Sequence, residues 1–157
     1  MNKQALIQEL LDHLSARIER LQRNAKEAHA EATHEQNKAE NKYDTRGLEA
    51  SYLAEGQTLQ AVELEQNFAQ VQALQLRSFD PSEGADIGAL VELTDASETT
   101  WYLIAPCAGG TELRTHPVLV LTPESPLGKQ LLGKRPGDKV SLRIGRTTTD
   151  LTVSAVL

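Results

Sequence analysis

Apolar residues recur along the first half of the chain at alternating spacings of four and three. Ile7, Leu11, Leu14, Ile18, Leu21, Ala25, Ala28 and Ala32 form one such seam, and a seam of this kind predicts a coiled-coil helix. A second seam runs through Ala50, Ala54, Gln57, Ala61, Leu64, Phe68 and Val71. It is less regular, because Gln57 holds a seam position and Gly56 adjoins it. A polar stretch, about His34 to Arg46, separates the two. Two seams with a polar joint predict an antiparallel helical hairpin, each arm on the order of 45 Å long. The first seam passes from Leu and Ile to Ala towards the joint, so the helices are expected to approach more closely there.

The helical period stops at Ser78-Phe79-Asp80-Pro81-Ser82-Glu83-Gly84, where Pro81 and Gly84 break helix. All six prolines and eight of the ten glycines lie beyond residue 77, and the pattern turns to short strand-like runs. These are Ala89 to Leu93, Thr99 to Ala105, Val118 to Thr122, Lys139 to Ile144 and Asp150 to Val156. Val140, Leu142 and Ile144 alternate with Ser141 and Arg143, as in a half-buried strand. Between the third and fourth runs, Ser125 suits a helix N-cap, Pro126 the first helical position and Gly133 the residue after the helix. The expectation is an α+β chain. It has an antiparallel coiled-coil hairpin at 1–77, a linker at 78–86, and an antiparallel sheet domain with one short helix at 87–157.

Composition narrows the function. The 157 residues carry 16 Lys and Arg against 22 Asp and Glu, a net charge of −6, so binding to duplex phosphates over the whole surface is excluded as the main activity. Cys107 is the sole cysteine, which rules out an intrachain disulfide and a Cys-rich zinc site. His13, His29, His34 and His116 are scattered and read as surface residues. Charges at Glu9, Asp12 and Arg17 interrupt the N-terminal apolar residues, and no run approaches the roughly 20 apolar residues of a membrane span. A cytoplasmic protein without membrane contact is expected.

The order of elements and two motifs resemble the Gre family of bacterial transcription elongation factors. The first motif is Val120 to Gly137 (VLTPESPLGKQLLGKRPG) followed by Asp138-Lys139-Val140; the second is Ala30-Glu31-Ala32 with Lys38-Ala39-Glu40-Asn41-Lys42-Tyr43. The resemblance implies an FKBP-like C-terminal domain that docks on RNA polymerase and a hairpin that enters the polymerase's secondary channel. It also implies that acidic residues at the hairpin tip help the polymerase's own centre hydrolyse backtracked RNA. Hydrolysis by a two-metal route needs a second Mg²⁺, which one or two carboxylates and water can hold. The chain is then not an enzyme and has no cofactor of its own; Glu40 would share the polymerase's Mg²⁺.

The resemblance places Asn37, Glu40 and Asn41 at the tip, with Glu35 and Asp44 as substitutes should the register differ. Cleavage-active members carry an Asp three residues before the Glu of the Glu-Asn pair; here that position is Asn37. Asn keeps an oxygen but loses the charge, so cleavage stimulation is expected to be weak or absent. Polymerase docking is assigned to Ser125, Pro126, Leu127, Gly128, Leu131, Leu132, Gly133 and Lys134. Lys129, Arg135, Lys139, Arg143 and Arg146 form a basic patch that could face nascent RNA. A monomer is expected. Two other readings compete: an FKBP-like peptidyl-prolyl isomerase or chaperone, which the shortage of aromatics disfavours, and a coiled-coil oligomerisation module.

Overall fold

The computed structural model describes residues 1–33, 45–80, 82–95, 98–144 and 147–157. Helix α1 (Lys3–Thr33) and helix α2 (Arg46–Gln72) come first. Then follow β1 (Leu90–Thr94), β2 (Thr99–Ile104), β3 (Glu112–Leu113), β4 (Val118–Leu121), α3 (Pro126–Leu131), β5 (Lys139–Ile144) and β6 (Thr147–Val156). Contacts group these into two units, Met1–Leu11 with Gln70–Leu157, and Asp12–Ala69.

In the unit Asp12–Ala69, burial follows the seams. Leu14, Ala28, Ala50, Ala54, Ala61 and Leu64 are buried, while Ile18, Leu21, Ala25, Ala32, Gln57 and Phe68 are half-buried. Gln22 Nε2 of α1 donates to Glu65 Oε1 of α2 at 2.9 Å, so the helices lie side by side. Ala25, Ala54 and Ala61, small side chains of the two seams, line an open groove of about 890 Å³ between the helices. Gln57 Oε1 is buried with no hydrogen-bond partner, a cost of about 1–3 kcal/mol against a satisfied oxygen.

The other unit holds a six-stranded sheet in the order β3-β4-β2-β1-β6-β5. Four pairings are antiparallel, and a register shift between Glu92 and Leu93 interrupts β1–β6. The pairing β2–β4 is parallel, Trp101 opposite Val118 through Ile104 opposite Leu121, so the sheet is mixed where an antiparallel one was expected. A parallel neighbour needs a crossover, and residues 105–117 supply it, with β3 as a two-residue strand inside. Strand alternation reports burial of a face but not the direction of the neighbour.

One sheet face carries Val91, Leu93, Tyr102, Ile104, Leu121, Leu151 and Val153, and it packs with Leu127 and Leu131 of α3. The opposite face, with Leu90, Leu103, Val118 and Val120, is equally buried. Leu6, Ile7, Leu10 and Val71 of the same unit are buried as well, all at most 4% exposed. Complete burial of a leucine contributes roughly 1.5–3 kcal/mol. Two polar ties bracket these residues. Lys3 Nζ donates to the carbonyls of Arg77, Gly88 (3.1 Å) and Leu157 (2.8 Å), and the Glu9 carboxylate accepts from the Arg114 and Thr115 amides.

Candidate functional site

The segment between β4 and β5 is built from backbone devices. Ser125 is extended (φ −65°, ψ 152°) and caps α3: its Oγ accepts from Gly128 N at 3.0 Å and donates to Thr122 O at 2.8 Å. Pro126 occupies the first turn, where no amide is needed. Leu127 and Leu131 then point into the core. Gly128 is fixed by proximity, since a Cβ there would stand 1.9 Å from Thr122 O. Gly133 follows the helix at φ +77°, a conformation that side chains resist. Its amide donates to Ala85 O and Lys134 O accepts from Ala85 N, both at 2.7 Å. The linker's Gly84 lies so close that an added Cβ would come within 2.4 Å of Gly133 O.

The family model of the C-terminal domain of transcription elongation factor GreA/GreB matches residues 80–157, a stretch that contains this whole arrangement. By that domain, the chain belongs to the GreA/GreB family. Among solved structures, Gfh1, a GreA factor homolog of Thermus thermophilus, is 24% identical over 94% of each chain, with a TM-score of 0.41. Thermus aquaticus Gfh1 is 24% identical over 98% of this chain and 94% of its own, with a TM-score of 0.43. A GreA/GreB factor of Nitrosomonas europaea is 13% identical over 59% of this chain and 78% of its own, with a TM-score of 0.38. No curated protein matches the chain. The assignment rests on the domain match.

Within this GreA/GreB domain, the segment expected to dock divides into two sets. Leu127, Gly128 and Leu131 are buried and hold α3 to the sheet, so they offer no contact surface. Pro126, Leu132 and Gly133 are exposed, while Ser125 and Lys134 are half-buried. Leu132, 38% exposed, borders an open hollow of about 580 Å³ whose lining includes Arg77, Ser82, Gly84, Gly133 and Arg135. The lining also includes Glu83 and Asp86, so the hollow is of mixed charge around an exposed apolar side chain.

Charge around the hollow is partly neutralised. Arg77 Nη1 donates to Glu83 Oε2 at 2.6 Å, and that bond holds the Glu83 carboxyl below the usual range. The Arg77 guanidinium also lies 4.0 Å from the centre of the Phe79 ring, and Lys3 Nζ lies 4.8 Å from it. Burial, and then the Arg77 charge, push the Lys3 ammonium down from its ordinary value. Sequence reasoning missed Lys3, Glu9 and Arg77. Lys3 and Glu9 act across long sequence separations, which no local pattern reports, whereas Arg77 pairs with Glu83 only six residues on.

In the expected basic patch, Lys129 of α3, Arg135 and Lys139 of β5 are exposed. Arg143 lies on β5; its side chain and Arg146 lie outside the described residues. So do Glu35, Asn37, Glu40, Asn41 and Asp44 of the tip. Cys107 is half-buried, and burial raises its thiol above the ordinary value, the opposite of what a thiolate nucleophile requires. Among the described residues, no group of three His, Cys, Asp or Glu side chains could hold a metal ion. No described helix is long and apolar enough to cross a membrane.

Proposed function

We propose that this protein regulates transcription elongation by binding bacterial RNA polymerase. The C-terminal domain docks on the polymerase, and the α1–α2 hairpin enters its secondary channel. The observation that carries this reading is the match of residues 80–157 to the GreA/GreB domain. Leu132, Arg135 and Arg77 around the α3 hollow are the docking contacts, with Pro126 and Gly133 beside them. Exposed Lys129 and Lys139 are placed to meet nascent RNA. The protein catalyses nothing itself and works where the polymerase works, in the cytoplasm.

Transcript cleavage is stimulated weakly or not at all, because Asn37 occupies the position of the family's tip Asp. The Mg²⁺ of the cleavage reaction is the polymerase's. What the tip lends is the single family-matched carboxylate of Glu40. One carboxylate is a poorer partner for a divalent ion than two.

A cleavage assay on a backtracked elongation complex tests the reading. The wild type should leave the RNA intact and compete with an active Gre factor for the channel. Asn37→Asp should restore Mg²⁺-dependent cleavage, and adding Glu40→Ala should abolish it again. Strong wild-type cleavage that survives Glu40→Ala sinks the register and turns attention to Glu35 and Asp44. Failure of the purified protein to retain core polymerase at micromolar concentration sinks the reading as a whole.

A further inference from the structure

The six-stranded sheet ends in β3 on one side and β5 on the other. β3 is two residues long, whereas β5 runs for six, Lys139–Ile144. An edge strand of the second kind offers unpaired N–H and C=O groups to any extended chain it meets. Which groups face outwards follows from the ladder. β5 pairs antiparallel with β6, Ser141 opposite Asp150, and in such a pair the backbone groups of alternate residues turn away from the partner strand. Ser141 is one of these, because its N–H and C=O both find their partner off the sheet, on α3. Lys139 and Arg143, two positions either side, share its backbone orientation.

At Ser141 the edge is already filled. Ser141 N donates to Gln130 Oε1 at 3.0 Å, and Gln130 Nε2 donates to Ser141 O at 2.8 Å. A neighbouring strand would make the same two bonds through the residue opposite. Here a side-chain amide makes them, with its donor and acceptor on one planar group. The pair also fixes which way the amide points: turned over, it would set N–H against N–H and oxygen against oxygen. Its other contacts are marginal, Nε2 to Pro126 O at 3.4 Å and Oε1 to Ser141 Oγ at 3.5 Å. α3 does not depend on them, since Leu127 and Leu131 hold it in the core and Ser125 caps it.

We propose that Gln130 guards β5: its amide takes the place of a neighbouring strand and keeps a second copy of the chain from pairing there. Charge adds to the guard. One antiparallel register uses all three outward-facing residues, and it sets Ser141 against its own copy and Lys139 against Arg143. Like charges directly opposite one another destabilise a strand pair, and lysine on an exposed edge serves the same end; Lys139 is exposed. The guard therefore has a hydrogen-bonding part and a charge part, which different perturbations remove. It concerns the sheet domain alone and stands apart from polymerase binding.

Gln130→Met in the full-length protein tests this, because Met keeps the length of the side chain and removes both hydrogen bonds. Exchange of the Ser141 amide, followed by NMR at low concentration, should become about tenfold or more faster than in the wild type. Sedimentation from about 10 µM to about 1 mM should show the variant dimerising at least about tenfold more tightly than the wild type. Raising the salt from about 0.05 M to about 1 M should tighten the variant's dimer several-fold, by screening the residues that flank Ser141. Adding Ser141→Pro, which deletes an outward N–H and no bond to β6, should return the variant to the wild-type state. An unchanged Ser141 exchange rate overturns the proposal. So does a Gln130→Met protein that associates no more tightly than the wild type at either salt, or a dimer that survives Ser141→Pro.

Discussion

Replacing Gly128 by Ala should destabilise the sheet domain more than any other single methyl group added to α3. The new Cβ would stand 1.9 Å from Thr122 O, 2.7 Å from Ser125 Oγ and 2.9 Å from Thr122 C. Two of these three atoms are backbone, so no side-chain rotation relieves the clash. Relief requires a shift of more than about 1 Å, in a region packed as tightly as an organic crystal. Thr122 O cannot move freely, because it accepts from Ser125 N at 3.1 Å and Ser125 Oγ at 2.8 Å. Moving α3 instead withdraws Leu127 and Leu131 from the core and breaks the Ser125 cap.

Overpacking of this kind costs about 1–3 kcal/mol, and a lost cap about 0.5–2 kcal/mol. The sum, roughly 2–5 kcal/mol, is a large part of the 5–15 kcal/mol that holds a typical domain folded. Trp101, the only tryptophan, sits half-buried in β2, so its fluorescence reports unfolding of this sheet. Urea unfolding of the full-length protein should show the Gly128→Ala midpoint well below wild type. Thermal unfolding should show a fall of roughly 10–30 °C. Lys129→Ala, one residue along the same helix but exposed, is the control and should stay within about 0.5 kcal/mol. A Gly128→Ala midpoint equal to that of the control would refute the reasoning.

Gln57→Leu removes the buried oxygen without a partner and should stabilise the hairpin by about 1–2 kcal/mol, read as slower amide exchange in α2; faster exchange would count against the seam. Gly56→Ala, whose Cβ would meet nothing within 4 Å, should raise helix stability by about 1 kcal/mol, and a lowered melting point by circular dichroism would show an unseen contact. Glu9 is held below its ordinary value of 4.5, first by the Arg114 amide and then by Thr115. Its contribution is therefore present above pH 4.5 and lost as the pH falls through the lower folded-state value. Glu9→Gln should cost about 1 kcal/mol at neutral pH after allowance for solvent exposure, and the cost should vanish below the folded-state value; a pH-independent cost would mean that the charge is irrelevant.

The hairpin was legible because a seam of four and three is a one-dimensional signal. Each seam position described in Asp12–Ala69 is buried or half-buried, and the irregular one, Gln57, is where the unpaired oxygen lies. The strands were legible for a similar reason, with ends displaced by at most three residues; β3, two residues long, shows no period at all. What stayed hidden needs two distant segments at once. The direction of β4 beside β2 depends on the crossover between them. Leu6 and Leu10, which from the sequence belong to the hairpin, are buried and fall in the unit that holds the sheet. Lys3 reaches carbonyls of residues 77, 88 and 157, and nothing near Lys3 in the chain announces this.

The motif that identifies the family is mostly a folding motif. Ser125 caps, Pro126 opens the helix, Gly128 admits the Thr122 carbonyl, Gly133 takes a positive φ, and Leu127 and Leu131 fill the core. None of these roles involves a partner, and any protein that uses this turn of chain would need them. The motif can therefore mark the domain without marking the contact surface. Function has to be sought in side chains that the fold leaves free. On the sheet domain these are Leu132, Lys129, Arg135 and Lys139; on the hairpin they are the exposed Leu48, Tyr52, Leu59 and Val62 of α2. Substitutions at these positions should spare stability and change binding, whereas substitutions within the motif should do the reverse. Measuring both quantities on both sets separates recognition from folding in a way that loss of activity alone does not.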